Sequence, residues 1–464
     1  MAKYPKYAEY KDSGIEWLGE IPSHWFNTKV KYEAYVKARV GWHGLKSDDF
    51  TDEGPYLVTG SDFKGTNIDW SQCYHCDEPR YEQEPYIQLR DGDLLITKDG
   101  TIGKVALARN LKDGEKATLN SGIFVVRPLR NNFSTKFYFW LLQSKVFKGF
   151  VDFNKTGSTI VHLYQDTFVN FEYASPNLED QIQIANFLDH ETAQIDSLIA
   201  KQEKLIELLK EKRQAVISHA VIKGLNPDVT MKDSGVEWLG QVPEHWEMKI
   251  LKYIVSQQGG GTPDKSNLSF WDGDIPWVSP KDMKIDYIST SQDKITVQAI
   301  EQSSTKLVPI GSVLMVVRGM ILIHSVPVAL TQKSVTINQD MKALIPNKLL
   351  DSEYFLYLLK GLKDYLLDYV ETSGHGTRCL RSDDFMNMPL FLPSLDEQKN
   401  IVEYVKAKFK IFDSLIDKAE SAIQLMQERR TALISSAVTG KIDVRHWQKK
   451  AFKNNNEVYL ELSA

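Results

Sequence analysis

Cys73-Tyr-His-Cys76 has the spacing of half a tetrahedral metal site. No second Cys/His pair follows at ligand spacing, and Cys379 lies in the far half of the chain, so loop residues and no metal are expected. Gly259-Gly-Gly261 is not a phosphate-binding loop, because no Gly-Lys-Ser/Thr closes it ahead of a helix. A nucleotide fingerprint, an amino-methyltransferase Asn-Pro-Pro-aromatic motif, a Gly-x-Ser-x-Gly elbow and a His-Glu-x-x-His helix are all missing. No catalytic residue is expected.

What remains is cationic and amide chemistry. Lys98, Thr101, Lys104, Arg109 and Asn120 cluster in the first half. Arg318, Lys333, Asn338, Gln339, His375, Arg378 and Arg381 occur in the second. Arg, Lys, Asn and Gln carry donors that match base edges in the major groove, and the cations also neutralise phosphate. Any one of these side chains alone reads more readily as a solvated surface group. By the same chemistry, Trp42, Lys46 and Lys64 are candidates in the first half, and Thr262 and Lys281 in the second.

The elements that must position them come from a duplication. Lys11-Asp-Ser-Gly-Ile-Glu-Trp-Leu-Gly-Glu-Ile-Pro-Ser-His-Trp25 returns as Lys232-Asp-Ser-Gly-Val-Glu-Trp-Leu-Gly-Gln-Val-Pro-Glu-His-Trp246. Gly92, Gly100, Asn120 and Pro128 match Gly311, Gly319, Asn338 and Pro346. The repeating unit is about 220 residues, far too long for a solenoid. Short alternating runs such as Asp93–Thr97, Ile123–Val126 and Val313–Val317 predict strands, and the aromatic stretches 137–142 and 354–359 predict helices. Each unit is therefore α+β. Gly41–Lys46 and Thr59–Lys64 have no close counterpart in the second half, as expected of two similar modules that read two different things.

Each unit ends in a long polar and apolar alternation opened by Pro-x-Leu-[Asp/Glu]-[Asp/Glu]-Gln, from Pro176 and from Pro393. Apolar residues three or four apart, among them Leu198, Leu205 and Leu209, then Leu415, Ile423 and Met426, predict one seam along each helix. A helix of about 40 residues is about 60 Å long and needs a partner for that seam. The two are expected to pack together as an antiparallel coiled coil. The organisation expected is a globular domain over 1–177, a helix over 178–225, a second globular domain over 226–394, a second helix over 395–440 and a tail over 441–464. The tail after Lys441 has no evident counterpart in the first half.

The chain has 464 residues, a net charge of −5, 25% charged residues and three cysteines. These values suit a soluble protein of a reducing compartment, with no disulfide framework, signal peptide or membrane span, hence a cytoplasmic location. The acidic net charge confines any DNA contact to local basic surfaces.

From about residue 5 to residue 445 the chain resembles the DNA-specificity subunit of Type I restriction–modification enzymes. The resemblance rests on the paired openings, the two helix starts, Thr97-Lys-Asp-Gly-Thr-Ile-Gly-Lys-Val105, Gly260-Gly-Thr-Pro-Asp264 and Asp274-Ile-Pro-Trp-Val-Ser-Pro-Lys-Asp282. It implies two target-recognition domains, each gripping one half of a split double-stranded DNA site, with the helices as spacer. It also implies two adenine methyltransferase subunits and two ATP-dependent translocase–endonuclease subunits as partners. S-adenosylmethionine, ATP and Mg would then be used by those partners and not by this chain. The rival reading is a self-contained DNA methyltransferase or nuclease with an unfamiliar active site.

Overall fold

The structure is a computed structural model that describes residues 4–40, 49–130, 133–154, 162–372 and 376–448. The chain divides into two compact units. The first comprises residues 1–202 together with 421–464, and the second comprises 203–420. The boundary cuts across both long helices, Leu178–Lys223 and Leu395–Val438, so each unit holds one globular part and a stretch of each helix.

In the first unit a six-stranded mixed sheet runs in the order Ala34–Lys37, Ile123–Pro128, Leu94–Thr97, Val105–Leu107, Asn67–Ile68, Phe63–Lys64. A second sheet pairs Ala117–Leu119 in parallel with the end of Thr51–Val58. The second unit repeats the plan. Five strands run in the order Val255–Gly259, Met341–Pro346, Val313–Val316, Val328–Thr331, Tyr287–Ile288, and Thr336–Ile337 pairs in parallel with the end of Trp271–Val278. The strands Leu94–Thr97 and Val313–Val316 are buried throughout, which explains their unbroken apolar runs.

The repeated sequence motifs dock each globular part on its own long helix. Gln181 accepts from the Ser134 amide at 2.8 Å and donates to the Pro176 carbonyl at 3.0 Å. Gln398 does the same with Asp351 at 2.8 Å and Pro393 at 3.0 Å. Those amides open the aromatic helices Thr135–Leu141 and Ser352–Gly361, so one buried glutamine ties two helix starts together. The His-Trp that closes each opening motif lies at the same place: His24 reaches Asp180 at 3.3 Å, and His245 reaches Glu397 at 2.9 Å. Trp25 and Trp246 are fully buried. The stretch most alike between the halves is thus scaffold.

Within each unit the long helices run antiparallel. In the first, Gln183 meets Val444 and Asp196 meets Arg430 at 2.8 Å. In the second, Arg213 meets Asp413 at 2.7 Å, and Gly224 lies against Glu397. The buried side of the first helix is Ile195, Ile199, Gln202, Ile206 and Leu209; that of the second is Phe412, Ile416, Ala419, Ile423 and Met426. Both alternate steps of four and three, the 3.5-residue period of a left-handed coiled coil. Three expected seam residues lie elsewhere: Leu198, Leu205 and Leu415 are 49%, 42% and 42% exposed. Each has an apolar neighbour one position on, and a 3.5-residue seam admits only one of the pair. Leu209, Ile423 and Met426 are half-buried on the seam side.

The first unit's core is closed by Leu433, Ile434, Ala437 and Val438 of the second helix, then by Ile442 and Val444 beyond it. Beyond the helix, the Asp443 amide donates to the Pro5 carbonyl at 2.8 Å, and the Lys441 ammonium donates to the Glu20 carbonyl at 2.6 Å. In the second unit Ile217, Ala220 and Val221 of the first helix close the core. Gly440, with φ +70°, lies against Pro22 and Trp25, as Gly224, with φ +74°, lies against Pro243 and Trp246. The two long helices therefore end at matching glycines, each set against the Pro and Trp of its own unit's opening motif.

Candidate nucleic-acid interface

In the first unit Lys98, Thr101 and Lys104 share the loop between Leu94–Thr97 and Val105–Leu107. Three hydrogen bonds fix its shape. Thr97 donates its hydroxyl to the Thr101 carbonyl at 2.5 Å, the Lys104 amide donates to the Thr97 hydroxyl at 3.0 Å, and the Leu163 amide donates to the Lys98 carbonyl at 2.9 Å. The Lys98 amide donates to Gly122 at 2.8 Å, which brings the Asn120 turn alongside. The Lys98 ammonium lies 5.6 Å from the Phe124 ring centre, and Lys104 is exposed. Asn120 follows the parallel strand, its amide donating to Val58 at 3.0 Å and its side chain accepting from Ser121 at 2.7 Å. Lys64 is ion-paired with Asp69, and that contact draws the carboxyl below its ordinary range. Trp42 and Lys46 lie outside the described residues.

The second unit builds the same corner. The Leu380 amide donates to Val317 at 2.9 Å, where the first unit uses Leu163 and Lys98. The Asn338 amide donates to Val278 at 3.0 Å, as Asn120 does to Val58. Arg318, Asn338, Gln339, Arg378 and Thr262 come together here: the Gly319 amide donates to Arg378 at 3.0 Å, the Arg318 amide to Asp340 at 3.2 Å, and the Thr262 hydroxyl to the Gln339 side chain. Gly260 passes so close to the Asn338 carbonyl that any Cβ would collide with it. Asn338 itself is buried and occupied: it accepts from the Asp340 amide at 3.1 Å and donates to its carboxylate at 3.2 Å. Its role in the structure is to shape the turn that presents exposed Gln339. Lys281 sits on the loop after Val278, paired with Asp293 at 2.7 Å, a contact that raises the ammonium's pKa. His375 lies outside the described residues.

The scaffold bonds coincide and the tips differ. Asp99 of the first unit holds His162 at 2.6 Å; at the matching positions of the second stand Arg318 and Cys379. No ion pair to Lys98, Lys104, Arg318 or Arg378 occurs among the described residues, so these four cations are open to an anion. Sequence reasoning missed Arg39, which is buried and donates to Leu119 at 2.8 Å and Thr118 at 3.0 Å, holding the strand that leads into Asn120. Burial pulls its guanidinium pKa down. Nothing in its neighbourhood in sequence marks it, because its partners are about eighty residues away.

Cys73 and Cys76 are buried free thiols, and burial pushes Cys76 up to about 11. Among the described residues no cluster of three potential metal ligands occurs, and no helix is long and apolar enough to cross a membrane.

The sequence profile described as Type I restriction modification DNA specificity domain matches residues 45–208 and 243–424. The specificity subunit of the Type I restriction enzyme EcoR124I/EcoR124II of Escherichia coli is 33% identical over 202 residues, 43% of this chain. That match spans 48% of the relative, about half its length. The putative MjaX specificity subunit of Methanocaldococcus jannaschii is 24% identical over 443 residues, 92% of this chain and 96% of that one. Among solved structures, the HsdS subunit from Thermoanaerobacter tengcongensis superposes with a TM-score of 0.52 at 16% identity, covering 91% of this chain and 98% of that one. A chain from a structure of Type I R-M complex assembly and conformational transition gives a TM-score of 0.68 at 16% identity over 90% and 98%. Two profile matches, one on each half of a duplicated chain, place it in the family: this protein belongs to the Type I restriction modification DNA specificity domain family.

Proposed function

We propose that this chain is the sequence-recognition subunit of a Type I restriction–modification complex. Each globular part reads one half of a split DNA site, and the coiled coil sets the gap between the halves. The observation that carries this reading is the pair of corners just described: matching backbone bonds at the loop and at the asparagine turn, different tips, and open cations on both. A fixed frame with exchangeable tips is what two readers of unlike half-sites require.

In this reading the chain carries no chemistry of its own. It addresses two methyltransferase subunits, which use S-adenosylmethionine, and two restriction subunits, which use ATP and Mg, to their site in the cytoplasm. The acidic net charge of −5 makes the isolated chain a weak DNA binder, and the assembled methyltransferase should lose affinity steeply with salt through counterion release.

The test is modular exchange. Replacing residues 30–173 with the segment of a relative should change one half of the methylated site and leave the other intact. A change in both halves would refute the two-reader reading. The chain purified alone, with S-adenosylmethionine or Mg and DNA, should leave the DNA unaltered; turnover would establish the rival enzyme.

A further inference from the structure

After Val313–Val316 the second unit makes a short helical turn, Met320–Ile323. Leu322 points into the core at 1% exposed, while Met320, Ile321 and Ile323 stand out at 61%, 46% and 43%. The turn is held from both sides. The Leu322 amide donates to Gly319 at 3.2 Å, Gly319 to Arg378 at 3.0 Å, and Leu380 to Val317 at 2.9 Å. Gly319 has φ +135°, which an L side chain rarely adopts. Three apolar side chains are thus fixed in water by a rigid mount.

The first unit does not share this feature. Its matching loop is Gly100-Thr-Ile-Gly103, in which Thr101 is polar and Ile102 packs on the core. The apolar tip therefore belongs to this reader and not to the scaffold. Arg318 and Arg378 flank it with no carboxylate paired to either among the described residues, a charge arrangement that suits phosphate on both sides of an apolar contact. On the major-groove edge of duplex DNA the apolar group is the C5-methyl of thymine.

We propose that Met320, Ile321 and Ile323 read thymine methyl groups in the half-site of the second unit, with Arg318 and Arg378 on the neighbouring phosphates. This rests on the DNA-recognition reading above. Burial of one methyl group corresponds to roughly fourfold in affinity.

The test uses the assembled methyltransferase and duplexes in which deoxyuridine replaces thymine in one half-site at a time. The second unit's half-site is the one that changes when residues 251–388 are exchanged. There, uracil should weaken wild-type binding about fourfold per methyl contacted. The variant Met320→Ser, Ile321→Ser, Ile323→Ser should bind thymine DNA more weakly and no longer distinguish thymine from uracil. In the first unit's half-site it should behave as wild type. Sequence-specific binding by wild type that ignores uracil, or a variant that still discriminates, would overturn the proposal while leaving the DNA reading intact. Wild-type complex with no sequence-specific binding to any duplex would overturn both.

Discussion

Ile442 and Val444, beyond the last helix, should hold the first globular part together although more than two hundred residues separate them in sequence from most of that core. They are 4% and 1% exposed, in a cluster with Tyr7, Trp25 and Phe187. Ile442→Ala removes buried methylene and methyl groups and leaves a cavity, at a cost of about 2–5 kcal/mol. Val444→Ala removes two methyls, about 1.6 kcal/mol at ~0.8 each. The double variant should therefore lose about 4–7 kcal/mol, a large share of the stability of an ordinary domain at about 5–15 kcal/mol. Hydrogen exchange read by mass spectrometry separates the units. Amides of Leu94–Thr97 and Ile123–Pro128 should exchange about a thousandfold faster or more, since each 1.4 kcal/mol is tenfold. Those of Val313–Val316 and Met341–Pro346 should keep their wild-type rates. Leu225→Ala, at a site 38% exposed just past the first long helix, should change neither set beyond the usual surface effect of about 0.5 kcal/mol. Equal acceleration in both units, or none in the first, would refute the assignment of this segment to the first unit's core.

On the seam, Ile206→Asp should destabilise the second unit by burying an unpaired carboxylate, whereas Leu205→Asp, 42% exposed, should be within about 0.5 kcal/mol of wild type in denaturant titration. Gly440→Ala should lower the thermal midpoint more than Gly224→Ala: both glycines have left-handed φ, but a Cβ at Gly440 would overlap Pro22, while at Gly224 the nearest atoms lie at 3.4 Å. Four residues inserted between Leu209 and Ala215 add about 6 Å of helix. Sequencing of methylated sites should then show the gap longer by about one or two base pairs with both half-sites unchanged; altered half-site bases with the gap preserved would show that the helices are not the ruler.

The elements were legible because their causes are local. Unbroken apolar runs between glycines mark Leu94–Thr97 and Val313–Val316, and the apolar residues three or four apart mark Leu178–Lys223 and Leu395–Val438. The duplication also paired Asn120 with Asn338, and the structure places both at the same turn, their amides donating to Val58 and Val278. Chemistry at the corner was less legible. Asn338 has the donors of a base reader, yet its bonds to Asp340 occupy it, and that pairing depends on a turn shaped by contacts from Gly260.

Two decisions were made only by tertiary packing. Adjacent apolar pairs such as Leu198 with Ile199 and Leu205 with Ile206 offer two seams of equal hydrophobicity, and the approach of the second helix buries the isoleucines. Equally, nothing near Tyr10 in sequence announces that its hydroxyl donates to Gly440 at 3.0 Å, or that Ile442 and Val444 finish the first core. Period and propensity act over a few residues and so fix elements. Which faces are buried, and by which end of the chain, depends on surfaces that meet only when the chain has closed on itself.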